Sequence, residues 1–307
     1  MKWLIGMLVV LAALAGLAWY AVLDGAAPAH AEGEFDLAAY RALVANDAPE
    51  TLPSDVRVEF VGASDAPSFA TEAGSFRGDV RMTYTAFQIT GPSGAVVIDG
   101  AVDEATTNEM TDGEGAFDPG SYQRVLDAMT QASHVLITHE HLDHVIALAR
   151  HPRPEEIASR VRLTAPQLAG LPQHAPNGVL APAIANASPL SLSTPQRIAP
   201  GVVAAAAPGH TPGTIVIYAR TQAREYLFIG DIAWVMASIE NARGRPRFIR
   251  WLIPEVDPDR PAVLRQIRAL HDLAAAEPDL VILPAHDDEY LRQRIADGAL
   301  TEGFATN

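Results

Sequence analysis

The chain has 307 residues, a formal net charge of −15, 49% apolar and 19% charged residues, which fits a packed globular body and argues against a disordered or coiled-coil chain. A surface this acidic repels phosphate backbones, so nucleic acid is not expected as a partner. Cysteine is absent, which removes disulfide frameworks and thiolate metal sites and leaves imidazole and carboxylate as the only strong metal ligands.

Lys2 precedes an uninterrupted apolar run over residues 3–23, closed by Asp24. That run matches the roughly 20 residues needed to cross a bilayer, and Trp19 and Tyr20 suit its interface, so residues 1–24 are expected to be a membrane anchor. The alternative is a secretory signal, because Ala29-His30-Ala31 resembles a cleavage site. No positive charge follows Lys2 until Arg41, so in either case the remainder is expected to face outward, periplasmic or extracellular. Residues 25–54, rich in Ala, Pro and Glu, read as a tether with a short amphipathic helix over 35–44. The folded body is expected over 55–307. It opens with strands at 56–61, 83–90 and 95–99, followed by an acidic surface loop over 103–120 in which Met110 and Phe117 are candidates to border a pocket. A helix with Tyr122, Val125, Leu126 and Met129 on one face leads to a strand at 134–138. Further strands are expected at 161–164, 202–206, 214–219, 225–229 and 280–283, and a helix at 261–276. The class is mixed α and β, without internal repeats or low-complexity tracts.

The chemistry concentrates at the end of the strand at 134–138, where His139, His141, Asp143 and His144 form an HxHxDH run. A strand handing over to a helix exposes its last residues, so His139 and His141 point to one side while Asp143 and His144 occupy the first helical turn. Imidazole and carboxylate placed together in this way bind zinc, manganese or iron at neutral pH. Three further residues each follow a hydrophobic segment: His210 after 202–207, Asp231 after 226–229 and His286 after 280–283. Gly209, Gly213 and Gly230 beside them supply tight turns or close backbone approach.

Together, HxHxDH, the Gly-His-Thr-Pro-Gly run at 209–213, Gly-Asp at 230–231 and Ala-His at 285–286 resemble the metallo-β-lactamase superfamily over roughly residues 56–300. The resemblance implies a four-layer αββα sandwich with metals at one edge. It assigns His139, His141 and His210 to a first metal, Asp143, His144 and His286 to a second, and Asp231 as the bridge. Two divalent cations are implied, zinc first and manganese or iron as alternatives. They acidify a shared water to a hydroxide that Asp143 orients as the catalytic residue. Asp99 matches an early strand-end aspartate, expected to be structural or to support a ligand.

Asp at the bridging position resembles thioesterases of the glyoxalase II type, lactonases and phosphodiesterases, so an ester, lactone or thioester in a small molecule is the expected substrate. Alternatives are an amide hydrolase of the β-lactamase kind, an iron-dependent sulfur dioxygenase, and an outward-facing metal-binding module without turnover. Lactonases that open acyl-homoserine lactones often place a tyrosine soon after this aspartate; Trp234 stands in that neighbourhood here. The segment 236–256 combines Arg243, Arg245, Arg247 and Arg250 with Phe248, Ile249, Trp251, Leu252 and Ile253. It reads either as a lid or membrane-facing surface or as a connection packed on the body with solvated arginines. His30, His134, His151, His174 and His271 fit no ligand position and are expected to be ordinary core or surface residues. No sequence feature sets an oligomeric state.

Overall fold

Alternation of side chains along each strand explains how the layers stack, because successive residues face opposite sides of a sheet. The computed structural model describes residues 2–305; residue 1 and residues 306–307, the extremes of the expected anchor and body, lie outside the described residues. In chain order the strands are β1 (Asp55–Pro67), β2 (Asp79–Thr90), β3 (Val96–Ile98), β4 (Ala116–Phe117), β5 (His134–Leu136), β6 (Val161–Arg162), β7 (Gln196–Ala199), β8 (Val202–Ala206), β9 (Ile215–Arg220), β10 (Glu225–Gly230), β11 (Leu280–Pro284) and β12 (Thr301–Glu302). The first sheet has seven strands in the order β12-β1-β2-β3-β5-β6, with β4 paired to β1; the second has five, β11-β10-β9-β8-β7.

Val96, Ile98 and Leu136 of the first sheet meet Val202, Ala204, Tyr226, Phe228, Val281 and Leu283 of the second in one buried core. Their neighbours point the other way. Val97 and Val135 join Val125, Met129, Val145 and Leu148 in a second core under the helices Pro119–Gln131 and Leu142–Ala149. Val203, Ala205, Leu227, Ile229 and Ile282 form a third with Val263, Ile267 and Leu270 of the helix Arg260–Ala276. A helix–sheet–sheet–helix sandwich follows, as the resemblance implied. Each fully buried Val, Leu or Ile contributes about 1.5–3 kcal/mol by leaving water.

Three expectations need correction. Residues 25–54 are not a free tether. Leu37, Tyr40 and Val44 of and beside the helix Leu37–Leu43 enter the third core, and Arg41 pairs with Glu225 and Glu277, so the segment is strapped to the outer face of the second sheet. The acidic stretch 103–120 is only partly loop. Asp103 accepts from Thr106 N and caps the helix Glu104–Met110, and Ala116–Phe117 pairs with β1. The arginines of 236–256 are not uniformly solvated: Arg245 is 2% exposed. Nearest the chain start, an apolar helix runs Lys2–Ala18 and continues as a π-helical turn over Trp19–Leu23. The whole stretch Lys2–Leu23 is long and apolar enough to cross a membrane.

Candidate metal centre

Parallel pairing of β3 with β5 and of β10 with β11 brings several strand ends to one edge of the sandwich. Asp99 directly follows β3, His139 lies shortly after β5, Asp231 follows β10, and His286 lies two residues past β11. His141 stands at the N-terminus of the helix Leu142–Ala149, whose first turn carries Asp143 and His144. The loop between β8 and β9 brings His210 to the same edge.

All seven residues singled out in the sequence are gathered here, in two groups whose candidate ligand atoms lie within 4.8 Å of one another: His139, His141, His210 and Asp231, and Asp143, His144, Asp231 and His286. In the first, His141 Nδ1 lies 3.1 Å from His139 Nε2 and 3.0 Å from His210 Nε2. Asp231 Oδ2 is 3.8 Å from His139 Nε2 and 3.6 Å from His210 Nε2. In the second, His144 Nε2 and His286 Nε2 are 3.2 Å apart. Asp231 Oδ1 is 3.2 and 2.9 Å from them, and Asp143 Oδ2 is 3.9 and 3.4 Å away. Asp231 therefore turns one oxygen to each group.

The outer ring nitrogens determine what these short contacts mean. His144 Nδ1–H donates to Asp99 Oδ2 (2.9 Å), His210 Nδ1–H to Asp257 Oδ1 (2.9 Å) and His286 Nδ1–H to the Thr83 carbonyl (2.8 Å). Each bond leaves the Nε2 lone pair facing its cluster, the tautomer a metal ligand needs. Lone pairs facing one another near 3 Å repel unless a cation lies between them. Asp231 Oδ1 is buried without a hydrogen-bond partner although two imidazole nitrogens lie 2.9 and 3.2 Å away. The donor set therefore fits divalent cations that prefer nitrogen and oxygen.

Electrostatics agree. Burial, reinforced by the neighbouring imidazoles, pushes His139 well down and His141 down to about 2, which keeps both neutral. Burial acts in the same direction on His144 and His286, but Asp231, with Asp143 and, for His144, Asp99, outweighs it and raises both. Burial would raise Asp231, yet His286, His144 and His139 hold it well below the usual carboxylate range. Positive charge is thus favoured at the carboxylate-rich half.

Among the supporting residues, Asp99 takes the ligand-supporting place its strand-end position suggested, whereas Glu140 and Asp257 carried no readable signal. Asp99 also accepts from Thr138 N and Thr138 Oγ1 (2.7 and 2.8 Å), tying the end of β3 to the start of the histidine run. Glu140, inside that run, accepts from Thr211 Oγ1 and Gly213 N (2.8 and 3.0 Å) and so fixes the His210 loop. Asp257 bonds both His210 and the buried Arg245; burial opposes its ionisation, but Arg245 and His210 lower it to about 2. Trp234 Nε1 donates to Asp231 Oδ2 (2.7 Å) while its ring lies under Arg245, 4.7 Å from centroid to guanidinium carbon.

A cavity of about 460 Å³ opens onto His141, Asp143, Asp231 and His286. Its wall is mainly apolar, from Met82, Met110, Leu142, Trp234, Ile253 and Val256, with Tyr84, His174 and Glu255 as polar points. Met110 borders this cavity as expected, whereas Phe117 lines a separate cleft. His174, expected to be ordinary, lies on the wall and donates to the Glu140 carbonyl (3.1 Å). Burial, opposed by a Ser64 hydrogen bond and aided by Asp143, raises Tyr84 and keeps its phenol protonated.

Gly230 shows how tightly the edge is built. Its φ is +50°, and an added Cβ would lie 2.8 Å from Thr138 Cβ, beside Asp231. Gly230→Ala is expected to cost about 1–3 kcal/mol in backbone strain and to displace Asp231, lowering both Tm and bound metal. Thermal melts paired with metal analysis check this, and an unchanged pair of values refutes it.

Comparison with known proteins places this geometry. A family model described as the metallo-beta-lactamase superfamily matches residues 82–286. No curated protein matches the chain. Among solved structures, an N-acyl homoserine lactone hydrolase with N-hexanoyl-L-homoserine bound at its catalytic metal centre is similar, with TM-score 0.56, 14% identity and coverage of 79% of this chain and 96% of its own. A probable metal-dependent hydrolase from Staphylococcus aureus has TM-score 0.56, 12% identity and coverage of 77% and 91%. A dizinc quorum-quenching lactonase in complex with its product has TM-score 0.51, 14% identity and coverage of 76% and 88%. At these identities the likeness is one of fold.

Proposed function

The chain belongs to the metallo-beta-lactamase superfamily, and from that premise we propose that it is a binuclear hydrolase of an ester, lactone or thioester bond in a small molecule. The observation carrying this reading is Asp231, whose two oxygens face two separate nitrogen–oxygen clusters at the floor of an open cavity. His139, His141 and His210 would hold one cation, Asp143, His144 and His286 the other, and Asp231 both. Zinc is the first choice, since imidazole and carboxylate suit it and one fold neighbour is described as dizinc. Such a pair supplies a water acidified toward neutrality and a Lewis acid for the bond under attack.

The protein side chains do the rest. Asp143 lines the cavity, 14% exposed at its side chain, and orients the attacking water through its carboxylate. Tyr84, protonated on the wall, is a donor for a developing oxyanion. The apolar wall excludes bulk water and fits an acyl substituent.

The helix Lys2–Leu23 is read as a retained anchor with the body outward. Residues just past it are built into the body: Asp24 pairs with Arg247, Ala27 N donates to the Ala242 carbonyl, and a Cβ on Gly25 would lie 2.3 Å from Ala73 Cβ. Cleavage near Ala31 would remove all of these contacts.

Full-length protein supplied with zinc or manganese should turn over at least one member of a panel of lactones, thioesters, β-lactams and phosphodiesters. Chelation should abolish that turnover and added metal restore it. Activity on every substrate no greater than that of a His139→Ala/His141→Ala chain would leave a metal-binding module as the reading.

A further inference from the structure

Three consecutive apolar residues within 246–256 are bare. Trp251, Leu252 and Ile253 are 60%, 72% and 45% exposed, and Phe76 is 68% exposed. Away from the N-terminal helix, only Leu43, Met110 and Val179 are comparably exposed among the described residues. Bulky apolar side chains grouped in this way mark a surface that meets something other than water.

Their position says what that is. The lower end of the N-terminal helix is fastened to this same segment: Phe248 N donates to the Ala21 carbonyl, Arg247 lies 4.4 Å over the Tyr20 ring, and Arg247 also binds Asp24 (2.7 Å). Phe69 joins Phe76 to Phe248, with ring centroids 6.0 and 5.9 Å apart. A helix of 22 residues is about 33 Å long, the thickness of a hydrocarbon core. If that helix spans a bilayer, residues fastened at Ala21 and Asp24 lie at the level where hydrocarbon gives way to headgroups. Arginine is the other clue. In a chain of net charge −15, Arg250 stands exposed beside these apolar residues, a pairing that suits an anionic lipid surface, while Arg77, Arg243 and Arg247 nearby are held by Glu72, by the Ala73 and Leu23 carbonyls and by Asp24.

The patch is continuous with the cavity. Ile253 is exposed and also lines the cavity wall with Val256, and Val256 further lines the cleft that holds Tyr20 and Trp251.

We propose that Phe76, Trp251, Leu252 and Ile253 rest in the interface of the membrane crossed by the N-terminal helix, so that the cavity opens at headgroup level and receives an amphiphilic, acyl-bearing substrate from the lipid side. This rests on the retained-anchor reading and gives the proposed hydrolase its substrate class.

The absence of cysteine makes the test direct, because a single introduced cysteine takes a nitroxide label uniquely. Full-length chains carrying Leu11→Cys, Phe76→Cys, Leu252→Cys, Met110→Cys or Ser93→Cys are placed in phosphatidylcholine–phosphatidylglycerol vesicles. Power-saturation spectroscopy then compares collisions with oxygen, enriched in lipid, against a water-soluble nickel chelate. Leu11 marks the bilayer interior, and Ser93, in the loop before β3 at the edge opposite the metals, marks water. Labels at Phe76 and Leu252 are expected to favour oxygen several-fold over the Ser93 label, with Met110 on the cavity rim between them. Leu252 and Phe76 as open to nickel as Ser93, with Leu11 deep, overturns the interfacial surface and leaves the anchor standing. Leu11 itself in water overturns both. Labels at the patch shielded from both reagents mean that a protein covers it, and the lipid assignment falls. Met110 as open as Ser93 overturns entry from the lipid side. None of these readouts depends on turnover, so a failed activity assay is a separate result.

Discussion

Asp231→Ala is expected to lower kcat/KM by at least about 10³-fold, or some 4 kcal/mol of transition-state stabilisation, and to take bound metal from two equivalents toward one or none. Both clusters depend on this side chain. Its Oδ2 completes the group of His139, His141 and His210, and its Oδ1 lies closer than either Asp143 contact to His144 Nε2 and His286 Nε2. Without it the second group keeps one carboxylate, Asp143, at 3.4 and 3.9 Å. Replacing Asp99 by asparagine makes the useful contrast. Asp99 touches only the outer nitrogen of His144 and the Thr138 backbone and hydroxyl, so loss of its charge is expected to weaken metal binding by the roughly 10–100-fold typical of a supporting partner. Elemental analysis, kinetics and circular dichroism on the two variants give the order. Asp231→Ala that folds, keeps two metals and turns over normally would end the binuclear reading.

The positions of these groups were legible because ligands at strand ends leave local traces. His139, His141, Asp143 and His144 lie within six residues, and His210, Asp231 and His286 each follow an apolar run that became β8, β10 or β11. The sandwich was legible only through the resemblance those motifs carry, since 202–206 and 226–229 are continuous apolar runs whose division between two cores shows only once the sheet is folded. What escaped was specified by tertiary contact alone. Asp257 lies 47 residues from His210 in an irregular stretch, where no periodicity or motif marks it. Within residues 25–54 the amphipathic helix read over 35–44 is present as Leu37–Leu43, but composition rich in Ala and Pro did not reveal that its stripe of Leu37, Tyr40 and Val44 covers the outer face of the second sheet. The helix Glu104–Met110 escaped because its polar residues concealed an Asp103 cap. Two strands of only two to four residues, β7 and β12, exist through pairing with neighbours and carry too few side chains to show a pattern.

Stability and metal affinity meet at Arg245 and Asp257, and they should be separable there. Both residues are buried, 2% and 5% exposed, and Asp257 is the carboxylate partner of Arg245 as well as the acceptor for His210 Nδ1–H. Asp257→Ala leaves a buried guanidinium without its counter-charge, which costs about 3–5 kcal/mol, on the order of 10 °C in Tm for a body of this size. It also frees His210 to turn, so metal affinity at the first group should fall about 10–100-fold. Adding Arg245→Met removes the stranded charge and fills its volume with an apolar chain, so the double variant is expected to recover most of the lost stability. It should not recover the metal affinity, because the His210 acceptor is still missing. Thermal melts of the metal-free proteins measure the first effect and zinc titrations the second. A double variant that melts as low as the single one would show that the arginine is not what Asp257 neutralises. Restored zinc affinity would show that Asp257 does not orient His210.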